Sequence, residues 1–358
     1  MATSIQTMVT SGFAFTSDLG DIKIKTDLEQ LIIRVNAFDV EDYYTTILYA
    51  EGGYVTFRGL RELIEAGMQE RGLSITGVAV NVYDLTGDHL DYDQFEVIYS
   101  AYRMPVSAEQ FVTRNFLSTK LSKNISPTSI ETLYAITKVS EVIEADVVYL
   151  NSDGKHVIQH IVMDELPSGS GWTLEAIDAS PKYIQSRLED TGAALKKLFA
   201  YTLILGSRTM VYYINRPKTG VLFTFRNCFN AYETAIIEGV TVTKTKIDQN
   251  IAVSGDVRVP YDKIVEKSYE VQTAPLMPQE LSWIEQLFMS MDVRLGQSDL
   301  PENLPAIVIT ESSCEITDSN TETNKVKFEW AFAEELPYAT LDLVETDIFG
   351  EQFTYQYM

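Results

Sequence analysis

Apolar and polar residues alternate along most of this chain. Across residues 325–332, Val326, Phe328, Trp330 and Phe332 fall on one side of an extended strand, with Lys325, Lys327 and Glu329 on the other. A period of two is what a half-buried strand of an antiparallel sheet needs, because one face packs while the other meets water. The same rhythm predicts strands at 13–15, 22–24, 33–37, 77–83 and 95–102. It resumes at 147–149, 157–163, 198–205 and 210–214, and becomes dense beyond Gly220, ending with 307–309, 326–332, 341–343 and 353–357. Asn151-Ser-Asp-Gly154 predicts a hairpin, since Asp-Gly tolerates the positive φ of a primed turn.

Helical spacing interrupts this pattern in four places. Leu60, Leu63, Ile64 and Gly67 form one stripe within 58–71, closing near Gly72. Ser107 and Gln110 have capping-box spacing before a short helix anchored by Phe111 and Phe116. Ser180-Pro181 opens a third helix with Ile184 and Leu188 on its apolar face. The fourth, 278–291, carries Leu281, Ile284, Leu287, Phe288 and Met291 on a face broad enough to lie across a sheet. Residues 122–129, with Pro127, read as a linker or loop, and Ser254-Gly-Asp256 as a kink. The predicted fold is mainly β, with β-sandwich-like antiparallel sheets covered by a few α-helices.

A length of 358 residues exceeds one ordinary core, so two domains are expected, at 1–142 and 143–358. The balance of 28 basic against 51 acidic residues, a net charge of −23, repels phosphates and anionic lipid. Nucleic-acid partners are therefore not expected, and neither is membrane insertion, which needs about 20 consecutive apolar residues. The opening residues lack a basic start and an apolar core, so no signal peptide is expected and synthesis in a cytoplasm follows. Cys228 and Cys314 admit one disulfide, with reduced buried thiols the favoured reading.

Chemistry-bearing residues are sparse. No glycine-rich phosphate loop or Gly-x-Ser-x-Gly elbow occurs, and Gly169-Ser-Gly171 lacks the elbow's glycine spacing. His156 and His160 have a zinc-binding interval only on a helix. After an Asp-Gly turn a strand is expected, which holds them roughly 13 Å apart at about 3.3 Å per residue. Asp84, Asp88, Asp91, Asp93 and Glu96 offer oxygens to calcium but miss the EF-hand register, so a solvated hairpin loop is the favoured reading. Trp172, Tyr355 and Tyr357 could stack on sugars, with core packing or subunit contact preferred. No catalytic, cofactor-binding or metal residue is assigned, and no cofactor is expected.

Phe225-Arg-Asn-Cys-Phe-Asn-Ala-Tyr-Glu-Thr234, Val253-Ser-Gly255 and Tyr269–Leu276 carry a resemblance, continued by Glu280–Leu287, Ser290–Val293, Ile307–Thr310 and Val326–Trp330. Gly53–Leu60, Phe95–Tyr99 with Phe111, and Asn115–Leu117 extend it. Together they resemble β-rich virion proteins of tailed bacteriophages and prophages, especially tail-associated ones. The resemblance implies a non-enzymatic assembly role in a ring, collar, tail tip or baseplate. It also implies homo-oligomers, other virion proteins as partners, and residence in a virion made in the bacterial cytoplasm. Two alternatives from other classes stand beside it: a carbohydrate- or receptor-binding module meeting a host-surface glycan, and an acidic hydrolase.

Overall fold

The computed structural model describes residues 3–6, 12–169, 171–215, 220–254, 257–314 and 324–334. The strands expected at 341–343 and 353–357, and most of the kink at 254–256, lie outside them. The fold is mainly β with four α-helices among the described residues, as the alternation predicts. It forms two compact units. One comprises Met1–Asn124, Glu131–Ile214 and Asn227–Ala231; the other comprises Ile125–Ile130, Asn215–Arg226 and Tyr232–Met358. The expected boundary at 142/143 falls inside a strand that begins at Glu141, and sheet pairing crosses it.

The first unit begins with β1 (Ser4–Gln6), β2 (Phe13–Phe15), β3 (Ile22–Lys25), β4 (Gln30–Ala37), β5 (Val40–Tyr49) and β6 (Tyr54–Phe57). Helix α1 (Leu60–Arg71) follows, then β7 (Ile75–Tyr83) and β8 (His89–Ile98). Strands β1, β3 and β6 form a small sheet, and β2-β8-β7-β4-β5 a larger one in which only β2 runs parallel to its neighbour. The expected strand at 95–102 starts earlier and ends at Ile98. Leu31, Ile33, Val35, Val78, Val80 and Val82 point inward and meet Leu60, Ile64 and Met68 of α1. The tight β4–β5 turn holds Phe38 and Asp39 at φ 59° and 58°. A left-handed Phe is uncommon. Here Phe38 is kept by packing: a Cβ on Gly67 would collide with its ring, and Arg71 lies 4.8 Å over it.

Helix α2 (Ala108–Arg114) starts where expected, with the Ser107 hydroxyl accepting from the Gln110 amide. The remaining strands of this unit are β9 (Ser122–Ile125), β10 (Thr132–Thr137), β11 (Glu141–Asn151), β12 (His156–Leu166) and β13 (Thr173–Asp178). After α3 (Pro181–Asp190) come β14 (Leu195–Leu205) and β15 (Arg208–Ile214). Strand β9 takes the first half of the loop expected at 122–129, because Lys123 and Ile125 alternate inward, while residues 126–129 form a turn. Sheet order is β12-β11-β14-β15-β9, with β10 and β13 pairing separately. Residues 227–231 belong to this unit's core: Phe229 is fully buried against Phe111, and the Asn230 amide, at φ 59°, donates to the carbonyls of Met68 and Leu73. Cys228, a buried thiol, packs in the same cluster.

The second unit contains β16 (Gly220–Arg226), β17 (Tyr232–Ser254), β18 (Val257–Thr273), α4 (Pro278–Met289), β19 (Val293–Leu295), β20 (Ala306–Cys314) and β21 (Val326–Phe332). All six strands are antiparallel neighbours in a closed barrel, ordered β16-β17-β18-β21-β20-β19. Sheets lying face to face were expected; here the sheet closes on itself, because β19 pairs with both β16 and β20. Val326, Phe328 and Trp330 point inward, and α4 adds Leu281, Ile284 and Leu287 to their cluster. The Trp283 indole donates to the buried Glu233 carboxylate at 3.0 Å.

Arg208 is a charge deeply committed to this fold. Its guanidinium donates to the carbonyls of Val112, Leu205 and Ile136 and pairs with Glu141 at 2.8 Å. Removing one partner of a buried pair strands the other. Arg208→Met is expected to lower unfolding free energy by about 3 kcal/mol, and Glu141→Gln by less, because Glu141 keeps some contact with water. Urea denaturation of the two variants checks the order.

Candidate interaction surfaces

Strand register places a row of large side chains across the solvent face of the β2-β8-β7-β4-β5 sheet. Ile47 of β5 pairs with Ile32 of β4, Ile32 with Tyr83 of β7, and Tyr83 with His89 of β8. Leu31, Ile33, Leu48, Val82 and Leu90 beside them pack in or against the core, so the period-two rule turns all four outward. The Tyr83 and His89 rings meet edge to face at 5.2 Å, His89 lies 5.9 Å from Tyr92, and Arg34 sits 4.7 Å over Tyr83. Ile47, Tyr49 and Tyr92 are exposed, Tyr49 at 72%. Aromatic rows with a polar rim are the composition that protein interfaces favour.

Acids border this row. Asp42 pairs with Arg34 at 3.1 Å, while Asp84 and Asp88 enclose the turn joining Tyr83 to His89. Only Asp84–Asp88 forms the turn; Asp91 and Asp93, also assigned to the loop, lie within β8. Asp84 spends one carboxylate oxygen on its own turn, accepting from the Thr86 hydroxyl and the amides of Thr86 and Asp88. The Thr86 hydroxyl first, then these amides, hold its carboxyl below the usual range. Asp91 accepts from the Ile5 amide at 2.7 Å. Among the described residues, no three His, Cys, Asp or Glu side chains gather as a metal site.

The second surface is a ribbon. Strand β16 supports β17 only as far as Glu238, and β21 supports β18 only as far as Tyr269. From Lys244 and Ser268 outward, β17 and β18 have only each other among the described strands. Residues 244–254 extend roughly 35 Å at about 3.3 Å per residue. At the root, Lys244 bridges Glu270 and Glu329, both at 2.6 Å, and Lys327 reaches Glu270 at 2.9 Å. Further out, Lys246 meets Asp248 and Glu266. Val240, Val242, Ile247 and Ile251 are exposed, and Pro260 sits at a bulge opposite Ile251.

His156 and His160 lie on β12, as expected for a strand. His156 stacks on Phe199 at 5.0 Å, whereas His160 faces Asp146 at 2.9 Å and Glu144 at 3.5 Å. Trp172 stacks on Phe13 at 4.5 Å, with the Lys138 ammonium 5.7 Å over its ring. A shallow cavity of about 250 Å³ beside it is also lined by Glu109, Glu141 and Arg208. Two of those groups are already used by the fold, since Arg208 and Glu141 bind each other. Ser170, Tyr355 and Tyr357 lie outside the described residues.

A dense group of titratable side chains, at Asp292, is also structural. Its carboxylate accepts from the Tyr232 hydroxyl at 2.6 Å and Arg294 at 2.5 Å, with Arg226 at 3.5 Å. Burial, followed by the Asp292 hydrogen bond, pushes Tyr232 up to about 12. Burial would raise Asp292, but Tyr232 and the two arginines outweigh it and hold the carboxyl below 3.8. These contacts join β16, β17 and β19. Sequence reading missed the group because its members are separated by up to 68 positions.

His160 gives a pH-dependent prediction. Its hydrogen bond to Asp146, followed by the charge of Glu144 against a small burial penalty, raises its pKa above 6.5. The contact therefore stabilises the strand pair fully below 6.5 and is lost as pH rises through the higher folded value. An NMR titration is expected to place the His160 midpoint above 6.5, and Asp146→Asn to lower it. No protein-family model and no curated protein matches the chain.

Proposed function

We propose that this chain is a non-enzymatic structural protein of a bacteriophage virion or phage-like tail. It is made in the bacterial cytoplasm and packs against copies of itself and neighbouring virion proteins. The observation that supports the reading is the β17–β18 ribbon. An isolated two-stranded ribbon is marginal in water, because neither face is covered. A third strand or a partner surface covers it, and a protein that extends such a ribbon with Ile247 and Ile251 exposed is suited to docking.

Assembly calls for rigid sheets and broad faces, which the barrel and the Ile47–His89 row supply. The phage assignment comes from the resemblance of residues 223–293, 307–310 and 326–330 to tail-associated virion proteins. That region includes the barrel's inward face and the Asn227–Ala231 turn.

Removing the ribbon separates folding from assembly. Joining Lys244 to Ser268 through Asn-Gly keeps every barrel strand and the Lys244–Glu270–Glu329 contacts. The shortened protein is expected to unfold at nearly the same temperature and to lose self-association in analytical ultracentrifugation. Intact protein that stays monomeric and never enters particles, alone or with the products of adjacent genes, overturns the reading.

A further inference from the structure

The cavity beside Trp172 lies wholly within the first unit, where several elements end. Glu109 comes from α2, Lys138 from the β10–β11 turn, Glu141 from the start of β11 and Arg208 from the start of β15. Trp172 immediately precedes β13. At about 250 Å³ the cavity is smaller than the roughly 300–1,000 Å³ of drug-sized sites, which suits a molecule of amino-acid size.

Its polar lining is only partly used. A guanidinium has five N–H donors. Arg208 spends four of them on the fold: Nε on Val112, Nη1 on Glu141 and Leu205, and Nη2 on Ile136. The second Nη2 hydrogen has no acceptor among the described residues, and a buried N–H is rarely left so. Glu141 gives Oε2 to Arg208 and keeps Oε1 without a donor among them. The exposed Lys138 ammonium and Glu109 carboxylate have no ion-pair or hydrogen-bond partner there either.

We infer that this cavity binds a small zwitterion with an apolar side chain, namely a free α-amino acid. Its carboxylate meets Lys138 and the spare Nη2 hydrogen of Arg208, and its ammonium meets Glu109 and Oε1 of Glu141. Its side chain lies against Trp172 and Val139, the latter 61% exposed and able to bury apolar surface. Charge selects this class. Lys138 and Arg208 cancel Glu109 and Glu141, so a bare anion would face two carboxylates and a bare cation two cations. A ligand without net charge also escapes the repulsion that a chain of −23 exerts on anions. A sugar would stack on the indole, but Phe13 already lies on that ring at 4.5 Å and the Lys138 ammonium stands 5.7 Å over it. The inference goes beyond the assembly reading and does not depend on it.

Titrating the full-length protein with L-leucine, followed by NMR at the Trp172 indole N–H, tests the site; Trp172→Phe assigns the signal. A saturable shift in the millimolar range is expected. N-acetyl-leucine lacks the ammonium and leucinamide lacks the carboxylate, and each is expected to bind at least tenfold more weakly. Lys138→Met and Glu109→Gln are expected to weaken leucine binding at least tenfold and to leave the melting temperature unchanged, because both side chains are exposed. Arg208 and Glu141 are left intact, since the fold depends on them. The inference is overturned if leucine gives no saturable shift up to about 50 mM, which corresponds to negligible affinity. It is equally overturned if either blocked form binds as tightly as leucine, if either variant binds leucine as the parent does, or if D-glucose alone saturates the signal.

Discussion

Backbone hydrogen bonding at strand edges is the constraint on which this structure turns. Every strand needs partners for its N–H and C=O groups, and water is the costly substitute once apolar surface surrounds them. The barrel meets the need completely: β19, only three residues long, pairs with β16 on one side and β20 on the other and so leaves no edge. Among the described residues the ribbon meets it only between its own two strands. Two opposite solutions therefore occur within one pair of strands. The roots of β17 and β18 are barrel wall; their outer halves extend beyond any third strand among the described residues.

Much of the local structure was legible in the sequence. Val326, Phe328 and Trp330 alternate because they face the barrel interior, and all three are buried. Leu281, Ile284 and Leu287 sit at helical spacing for the same reason. His156 and His160 belong on a strand because a hairpin turn precedes them, and β12 begins at His156. Long-range relations were hidden. Phe223 pairs with Leu295 across 72 positions, and no local period records which strand closes a barrel. The ribbon was hidden for a different reason: Val240 and Val242, which lead into it, alternate with threonines whether a core or solvent lies beneath them. Alternation reports a half-apolar strand, not what covers it.

The charged side chains divide by burial. Arg208 and the Asp292 group are surrounded by carbonyls, a tyrosine hydroxyl and opposite charges, so their chemistry is spent on joining strands. Perturbed ionisation often marks a reactive centre, and structural ion pairs produce the same signature. The difference lies in what the atoms touch. Tyr232 and Asp292 are bonded to each other and to residues of the barrel, which accounts for both shifts without a substrate.

The acidic exterior and the nearly neutral ribbon have complementary consequences. A uniform field of −23 keeps identical copies apart at long range, which suppresses indiscriminate contact between exposed apolar patches. Within the chain the same charges act at contact range: Lys244 sits between Glu270 and Glu329, and Lys246 between Asp248 and Glu266, so lysines of the ribbon are offset by acids of neighbouring strands. Salt weakens such exposed pairs, so they tune the ribbon rather than hold it, and its backbone ladder carries the pairing of β17 with β18.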